Sequence, residues 1–308
     1  VFVNPSSRVN RRNPERARRL AAILGDAGRV VAPDNAGVLE AEARHIVQEH
    51  PSVIGIHGGD GTIHWTVSAL LRAYGDRPLP PLALLPGGTM NVITSSLNIV
   101  TRPEKLLAQL VAYQKAGAAP ALVKRHCLKI QDGYGFVFGT GLIAHFLEHY
   151  YAKGNYGAGR AVWILLRSIS SQAVGGAYAR HIFRRFRGQF CVDGQTLPWN
   201  ELLGLGAGTV SEVGLGFRLI HRADDHPHRF GILAMHSSPL ALTLDLAAVH
   251  HGRGVSSRRA WSASATHLVI EPDEPEILYT IDGDLYRTRG PLNVELGPEL
   301  SFVRPRGG

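Results

Sequence analysis

The chain has 308 residues, a formal charge of +8 with histidines neutral, and an apolar share of 44%. That is enough for two domains of ordinary size with globular composition. No apolar run approaches the roughly 18 residues of a membrane span, and Cys127 and Cys191, the only cysteines, exclude a disulfide framework or a cysteine zinc site. Isolated thiols and no visible signal peptide predict a cytoplasmic protein, with Val1 already inside a predicted strand. Arginine concentrates in stretches 8–19 and 180–187, a field that favours phosphates or anionic lipid surfaces. No zinc finger, RNA-recognition signature or aromatic-interleaved basic run supports nucleic acid.

A strand begins at Phe2. Asn13-Pro14-Glu15 then opens a helix, with a capping amide, a proline at the first helical position and an acid near the positive end; Gly25 closes it. Residues 30–32 read as a second strand. Leu39, Ala43, Ile46 and Val47 share one helical face. Residues 53–56 form a short unbroken apolar strand, as in a parallel sheet buried on both faces. It runs into Gly58-Gly59-Asp60-Gly61-Thr62, and Ile63, Val67, Leu70, Leu71 and Tyr74 repeat the helical spacing. Residues 82–85 are another such strand, followed by the loop PGGTMN, and Leu106, Leu107, Leu110 and Val111 mark a helix after Pro103. This alternation predicts a doubly wound α/β domain.

Past residue 122 the pattern changes. LVKRHCLKI, GYGFVFG and GQFCVDGQTL read as strands, with hairpin turns at Asp132-Gly133 and Asp193-Gly194. Only GLIAHFLEHYYAKG and AGRAVWILLRSISSQAV read as helices. The second of these carries Trp163, Ile164, Leu165 and Leu166 between Arg160 and Arg167, which suits either a packed helix or a membrane interface. The second half is therefore predominantly antiparallel and sandwich-like.

A strand, a glycine loop and a helix start make an anion site, because the first helical amides are unpaired and the helix dipole favours negative charge. Glycine lets phosphate oxygens reach those amides. Thr62 can cap the helix or donate to a phosphate, while Asp60 must hold a cation, accept a proton or orient a donor. The plain alternative is a tight turn in which Asp60 bonds its own backbone. Two such loops at one sheet edge favour a ligand. Neither fits the Walker pattern, and the spacing G-x-G-x-x-G is absent, as is the G-x-S-x-G elbow. The histidines and acids of HRADDHPHRF, namely His221, Asp224, Asp225, His226 and His228, read as a solvated loop rather than a metal site.

VNPSS at the start, GGDGT after the third strand and LLPGGTMN after the fourth resemble the catalytic domain of the diacylglycerol kinase family, which includes sphingosine and ceramide kinases. GTGLIAHFLEHYY, GLGFRLIHRADDHP and the late IDGD extend the similarity over nearly the whole chain. The resemblance implies a nucleotide-binding α/β domain over 1–124, completed by 297–308, and a β-rich lipid-substrate domain over 125–296. It further implies ATP as co-substrate, Mg²⁺, a lipid alcohol as acceptor and peripheral contact with an anionic membrane. Gly58, Gly59, Asp60, Gly61 and Thr62 would wrap the phosphates, and Asn4, Gly87, Gly88, Thr89 and Asn91 would complete the nucleotide pocket. Asp284, where the family has glutamate, would accept the lipid hydroxyl proton. Asp60 would act through magnesium or as a nearby acid; the sequence identifies no metal site, and Asp60 and Asp282 are the candidates for one. Three departures are visible: Val92 stands where the family carries an aspartate, Arg8 where it carries a glycine, and Asp284 is one methylene shorter than glutamate. The alternatives are an NAD-kinase-like enzyme, which shares GGDGT, and an inactive nucleotide- or lipid-binding relative. His145 falls where sphingosine kinases carry an acid, which disfavours a long-chain base as substrate.

Overall fold

The computed structural model describes residues 1–5, 7, 10, 11, 13, 15–88, 90–152, 177–214, 217–239, 241, 245 and 255–305. They divide into two compact units, Val1–Arg125 with Glu299–Gly308, and His126–Pro298.

In the first unit β1 (Phe2–Val3), β2 (Ile54–Gly58) and β3 (Leu82–Pro86) run parallel in that order. Phe302 near the C-terminus extends this sheet by pairing in parallel with Leu82. Every residue of β2 and the first four of β3 are buried. Burial on both faces is why these strands read as apolar runs instead of alternating patterns. The predicted strand at 30–32 contracts to a single bridge between Val31 and Phe2.

Five helices accompany the sheet among the described residues: α1 (Glu15–Leu24), α2 (Ala36–Glu49), α3 (Asp60–Tyr74), α4 (Val92–Ser96) and α5 (Pro103–Lys115). On α2 the buried residues are Leu39, Ala43, Ile46 and Val47, the face the spacing predicts, and Asn35 caps the helix by accepting the Val38 N–H. On α3 the predicted residues Ile63, Val67, Leu70, Leu71 and Tyr74 are all buried.

The second unit is antiparallel. In chain order its elements, the first and last of which also run through residues of the first unit, begin with β4 (Leu122–Ile130), β5 (Gly133–Gly135), β6 (Val137–Gly141), α6 (Leu142–Tyr151) and α7 (Ala177–Ile182). There follow β7 (Phe186–Val192), β8 (Gln195–Thr196), β9 (Glu201–Leu202), β10 (Gly204–Gly208) and β11 (Phe230–Met235). The last are β12 (Ala260–Ala265), β13 (His267–Pro272), β14 (Ile277–Ile281), β15 (Asp284–Thr288) and β16 (Leu292–Val303). One six-stranded sheet has the order β12-β11-β10-β6-β14-β15. In the other, β13 pairs with β7 on one side and with residues 292–295 of β16 on the other. Phe138, Phe230, Ile232 and Ile281 from the first sheet share a buried core with Phe190, Leu268, Ile270 and Val294 from the second. Two sheets closing on one core make a sandwich.

Asp193-Gly194 and Asp282-Gly283 form tight turns with both residues at positive φ, 46° and 81° in the first and 49° and 96° in the second. The hairpin expected at Asp132-Gly133 is displaced by one residue. Ile130 pairs with Gly133, so Gln131 (φ 50°) and Asp132 form the turn. Tertiary bonds hold it there: the Gln131 N–H donates to Asn293 O, and its side chain bonds Pro291 O and the Asn293 N–H. The helix expected within 158–174, with Arg160 and Arg167, lies outside the described residues. Among the described residues no helix is long and apolar enough to cross a membrane.

Candidate active site

β2 ends at Gly58 and α3 begins at Asp60, with Gly59 as an extended N-cap (φ −95°, ψ −173°) and no side-chain cap. The first-turn amides of α3, including that of Gly61, lack intrahelical acceptors, and the helix dipole there favours an anion. Thr62 does not cap; its hydroxyl accepts a bond from Asn4 Nδ2 at 3.0 Å. Asn4 is fixed in turn by its N–H on His57 O at 3.3 Å. A Cβ at position 58 would fall inside the Thr62 side chain.

The second loop folds against the first. The Gly87 N–H donates to Gly58 O at 2.8 Å. Asn91, at φ 50°, turns its amide back on the loop, Oδ1 accepting from the Gly88 N–H (2.9 Å) and Nδ2 donating to Gly88 O (3.2 Å). A Cβ on Gly59 would lie 2.9 Å from Gly88 Cα, and a Cβ on Gly88 would come closer still to Gly59 Cα. Glycine at 59 and 88 is thus required by loop-on-loop contact. What lies against the bare backbone at these two positions is the other loop. Thr89 lies outside the described residues.

Asp60 joins the loops in a second way. Its Oδ1 accepts the Ile93 N–H at 3.1 Å, an amide in the first turn of α4. Asn91 has no side-chain cap bond to α4, so the carboxylate of the first loop supplies the acceptor that α4 lacks. Of the three tasks open to Asp60, this bond is an instance of orienting a donor. Val92 opens α4 and is 8% exposed, buried where the family pattern has an acid.

Two residues at this site escape a reading of the sequence. His57 is wholly buried, with Nδ1 3.0 Å from Leu85 O and Nε2 3.0 Å from Asn10 Oδ1. Asn10, also buried, donates from Nδ2 to Asn4 O at 2.7 Å. Burial pushes the His57 pKa below its ordinary 6.5, aided by Arg16 and opposed by the Leu85 carbonyl and Glu104. The available signal was a histidine within an apolar β-run, a polar group that needs partners wherever it is buried.

In the second unit Asp282 Oδ1 accepts the Phe136 and Val137 N–H groups at 2.9 and 2.8 Å, while its own N–H donates to Val137 O at 2.9 Å. It pins the β14–β15 hairpin to β6. Asp284 starts β15, half-buried and opposite Ile281. Helix α6 steadies the same hairpin: Arg287 Nη2 reaches Glu148 Oε1 at 2.8 Å. His145 on α6 lies with its ring centroid 5.7 Å from that of His181. Burial, then His181, lower its pKa against Glu148 and the Ile182 carbonyl.

Among the described residues no three His, Cys, Asp or Glu side chains gather as a metal site. Of the three histidines in 221–230, His221 meets Ser262 Oγ at 3.4 Å and His228 meets His126 at 3.1 Å. Within 180–187, Arg184 pairs with Glu274 (2.9 Å) and Arg187 with Glu201 (3.7 Å), while Arg185 donates to His236 O and Ser237 O.

Glycine loops at the carboxyl ends of adjacent parallel strands, one leading into a helix start, lie at the sheet edge where α/β domains bind their ligands. Residues 1–120 match the family model of the diacylglycerol kinase catalytic domain, so the resemblance carried by NPSS, GGDGT and PGGTMN is borne out over that stretch. No curated protein matches the chain. A solved structure described as a diacylglycerol kinase from Bacillus anthracis str. Sterne is 17% identical, with a TM-score of 0.65, covering 99% of this chain and 95% of that one. A second from the same organism, provisionally assigned as a diacylglycerol kinase, has 17% identity and a TM-score of 0.68, over 99% of this chain and 96% of the other. At such identity the likeness is one of fold: mixed α/β with a parallel core and an antiparallel β-rich C-terminal region.

Proposed function

We propose that the protein is an ATP- and Mg²⁺-dependent lipid kinase that phosphorylates the primary hydroxyl of a diacylglycerol-like lipid. The observation that carries this reading is the pair of interlocked glycine loops on β2 and β3, inside the residues that match the diacylglycerol kinase catalytic domain. Asn4, Gly58, Gly59, Gly61, Thr62, Gly87, Gly88, Thr89 and Asn91 then form the nucleotide pocket, with phosphate charge at the start of α3. Asp284 accepts the lipid hydroxyl proton as the hydroxyl oxygen bonds to the γ-phosphorus and the bond to ADP breaks. Magnesium, when bound, neutralises charge on the transferring phosphoryl group. That ion takes few carboxylates and comes in on substrate phosphates. Asp60 and Asp282 each already hold backbone N–H groups, which supports a structural task for both. A lipid substrate brings the protein to an anionic membrane surface from the cytoplasm, where the exposed Arg184 and Arg187 side chains suit lipid phosphates.

A second reading, a relative that binds nucleotide or lipid without turnover, is favoured by buried Val92 and by the engagement of Asp60 with Ile93. Transfer of labelled phosphate from MgATP to a panel of lipid alcohols in mixed micelles, with NAD beside them, separates the readings. Labelled lipid is the expected result. ATP binding without any labelled product supports the second reading, and labelled NAD refutes the lipid assignment.

A further inference from the structure

His57 is the one polar side chain in β2, and its surroundings are chemically unusual. Leu85 O can only accept, so Nδ1 must carry a hydrogen. Nε2 faces Asn10 Oδ1, because the Nδ2 of that amide donates to Asn4 O. Both ring nitrogens therefore face acceptors, a set that only the doubly protonated ring satisfies. With a single hydrogen, the ring keeps Leu85 and the Asn10 amide must choose. Either it holds Asn4 and presents an oxygen to a bare nitrogen, or it turns to His57 and releases Asn4. The same ring supports the second glycine loop, since a Cβ on Gly87 would lie 2.7 Å from His57 Cε1.

We propose that His57 and Asn10 are positioning residues of the nucleotide site, and that a second proton on His57 locks the Asn4 segment and the Gly87 loop in the arrangement that receives the phosphates. The proposal rests on the nucleotide reading above. The charged groups whose fields reach the ring are Arg16 of α1 and Glu104 of α5, opposite in sign and 3.6 Å apart, so the pair leaves little net field. Burial disfavours the second proton in the free protein, and phosphate charge nearby favours it. Nucleotide binding therefore takes up a proton, and affinity rises as pH falls through the window between the free and bound titration points. One linked group contributes at most a tenfold change per pH unit.

The test measures MgATP affinity from pH 7.5 to 5.5 for the parent, His57→Phe and Asn10→Asp, together with the ¹⁵N shifts of the His57 ring with and without MgATP. His57→Phe keeps a flat ring with no titrating group and gives the baseline for protonation of the nucleotide itself. The parent should gain several-fold in affinity over that baseline on the acid side. Asn10→Asp, which sets a carboxylate against Nε2, should move the gain to higher pH. Should His57→Phe not fold, the ring shifts of the parent decide alone. Equal pH profiles in parent and His57→Phe, or a ring whose protonation ignores bound MgATP, overturn the proposal and leave the nucleotide reading standing. Absence of MgATP binding at every pH removes both.

Discussion

The seam between the two glycine loops gives the most direct test of the site's construction. In Gly59→Ala the new Cβ sits 2.9 Å from Gly88 Cα. Carbon atoms settle at about 3.5–4.0 Å, so the loops must part by roughly half an ångström or more. The opposing atom is backbone and cannot swing aside. Parting also stretches the Gly87–Gly58 bond (2.8 Å) and the Asp60–Ile93 bond (3.1 Å), which cross the same seam. Overpacking of this kind costs about 1–3 kcal/mol, and a weakened hydrogen bond adds about 1 kcal/mol. Gly59 has φ −95°, where alanine is at ease, so no backbone penalty confuses the result. Gly88→Ala is the tighter fit and should cost more. Gly28→Ala, whose Cβ finds Leu24 at an ordinary 3.5 Å, is the neutral control. Because the first Cβ opens the seam for the second, the double variant should fall short of the sum by at least ~0.5 kcal/mol. Urea unfolding measures all four. A Gly59→Ala protein within about 0.5 kcal/mol of the parent, or strict additivity with Gly88→Ala, would refute the loop-on-loop account. A larger residue such as valine breaks the seam outright, so its loss of ATP-dependent stabilisation cannot by itself report a phosphate contact.

Three further sets of variants probe the proposed roles. Asp60→Ala should lose about 1–2 kcal/mol by orphaning the Ile93 N–H, whereas Asp60→Asn keeps an acceptor and should stay near the parent in urea; a collapse of lipid phosphorylation in a stable Asn variant would show that the charge matters beyond the cap. Asp284→Asn should lower kcat by ~10²–10⁴-fold with ATP-dependent thermal stabilisation retained, and Asp284→Glu should remain active; turnover at the parent rate in the Asn variant removes Asp284 as base. Arg184→Gln with Arg187→Gln should weaken sedimentation with anionic vesicles, each charge contributing ~1 kcal/mol before screening. Arg185→Gln should instead lower stability, since it donates to two carbonyls, and unchanged sedimentation of the first pair would leave those arginines as a solvated face.

Much of this fold is written locally. The unbroken apolar runs at 53–56 and 82–85 announce strands buried on two faces, and Leu39, Ala43, Ile46 and Val47 announce the buried face of α2, because periodicity follows from backbone geometry alone. Asp193-Gly194 and Asp282-Gly283 announce their turns because few residues accept two consecutive positive φ angles. The order of the glycine motifs along the chain carried the resemblance to diacylglycerol kinases for the same reason, being a property of the string itself.

What the string could not decide is who meets whom. A glycine says that a Cβ is excluded and is silent on whether a phosphate or another loop excludes it; at 59 and 88 the answer is the partner loop. Asp60 advertised an acid beside a phosphate site, and the structure gives its carboxylate to an amide 33 positions away. His57 drew no reading in the sequence, and its role appears only where Asn10, 47 positions distant, closes on it. Asp282 was a candidate for a metal, and the structure puts it in a turn with its carboxylate on an amide 146 positions back. The strand at 30–32 shrank to one bridge and the hairpin at 132 slid by a residue because pairing depends on what the neighbouring strand offers. Local preference is set by a residue and its near neighbours, whereas each of these contacts exists only once packing has brought distant segments together and left buried polar groups that must find partners.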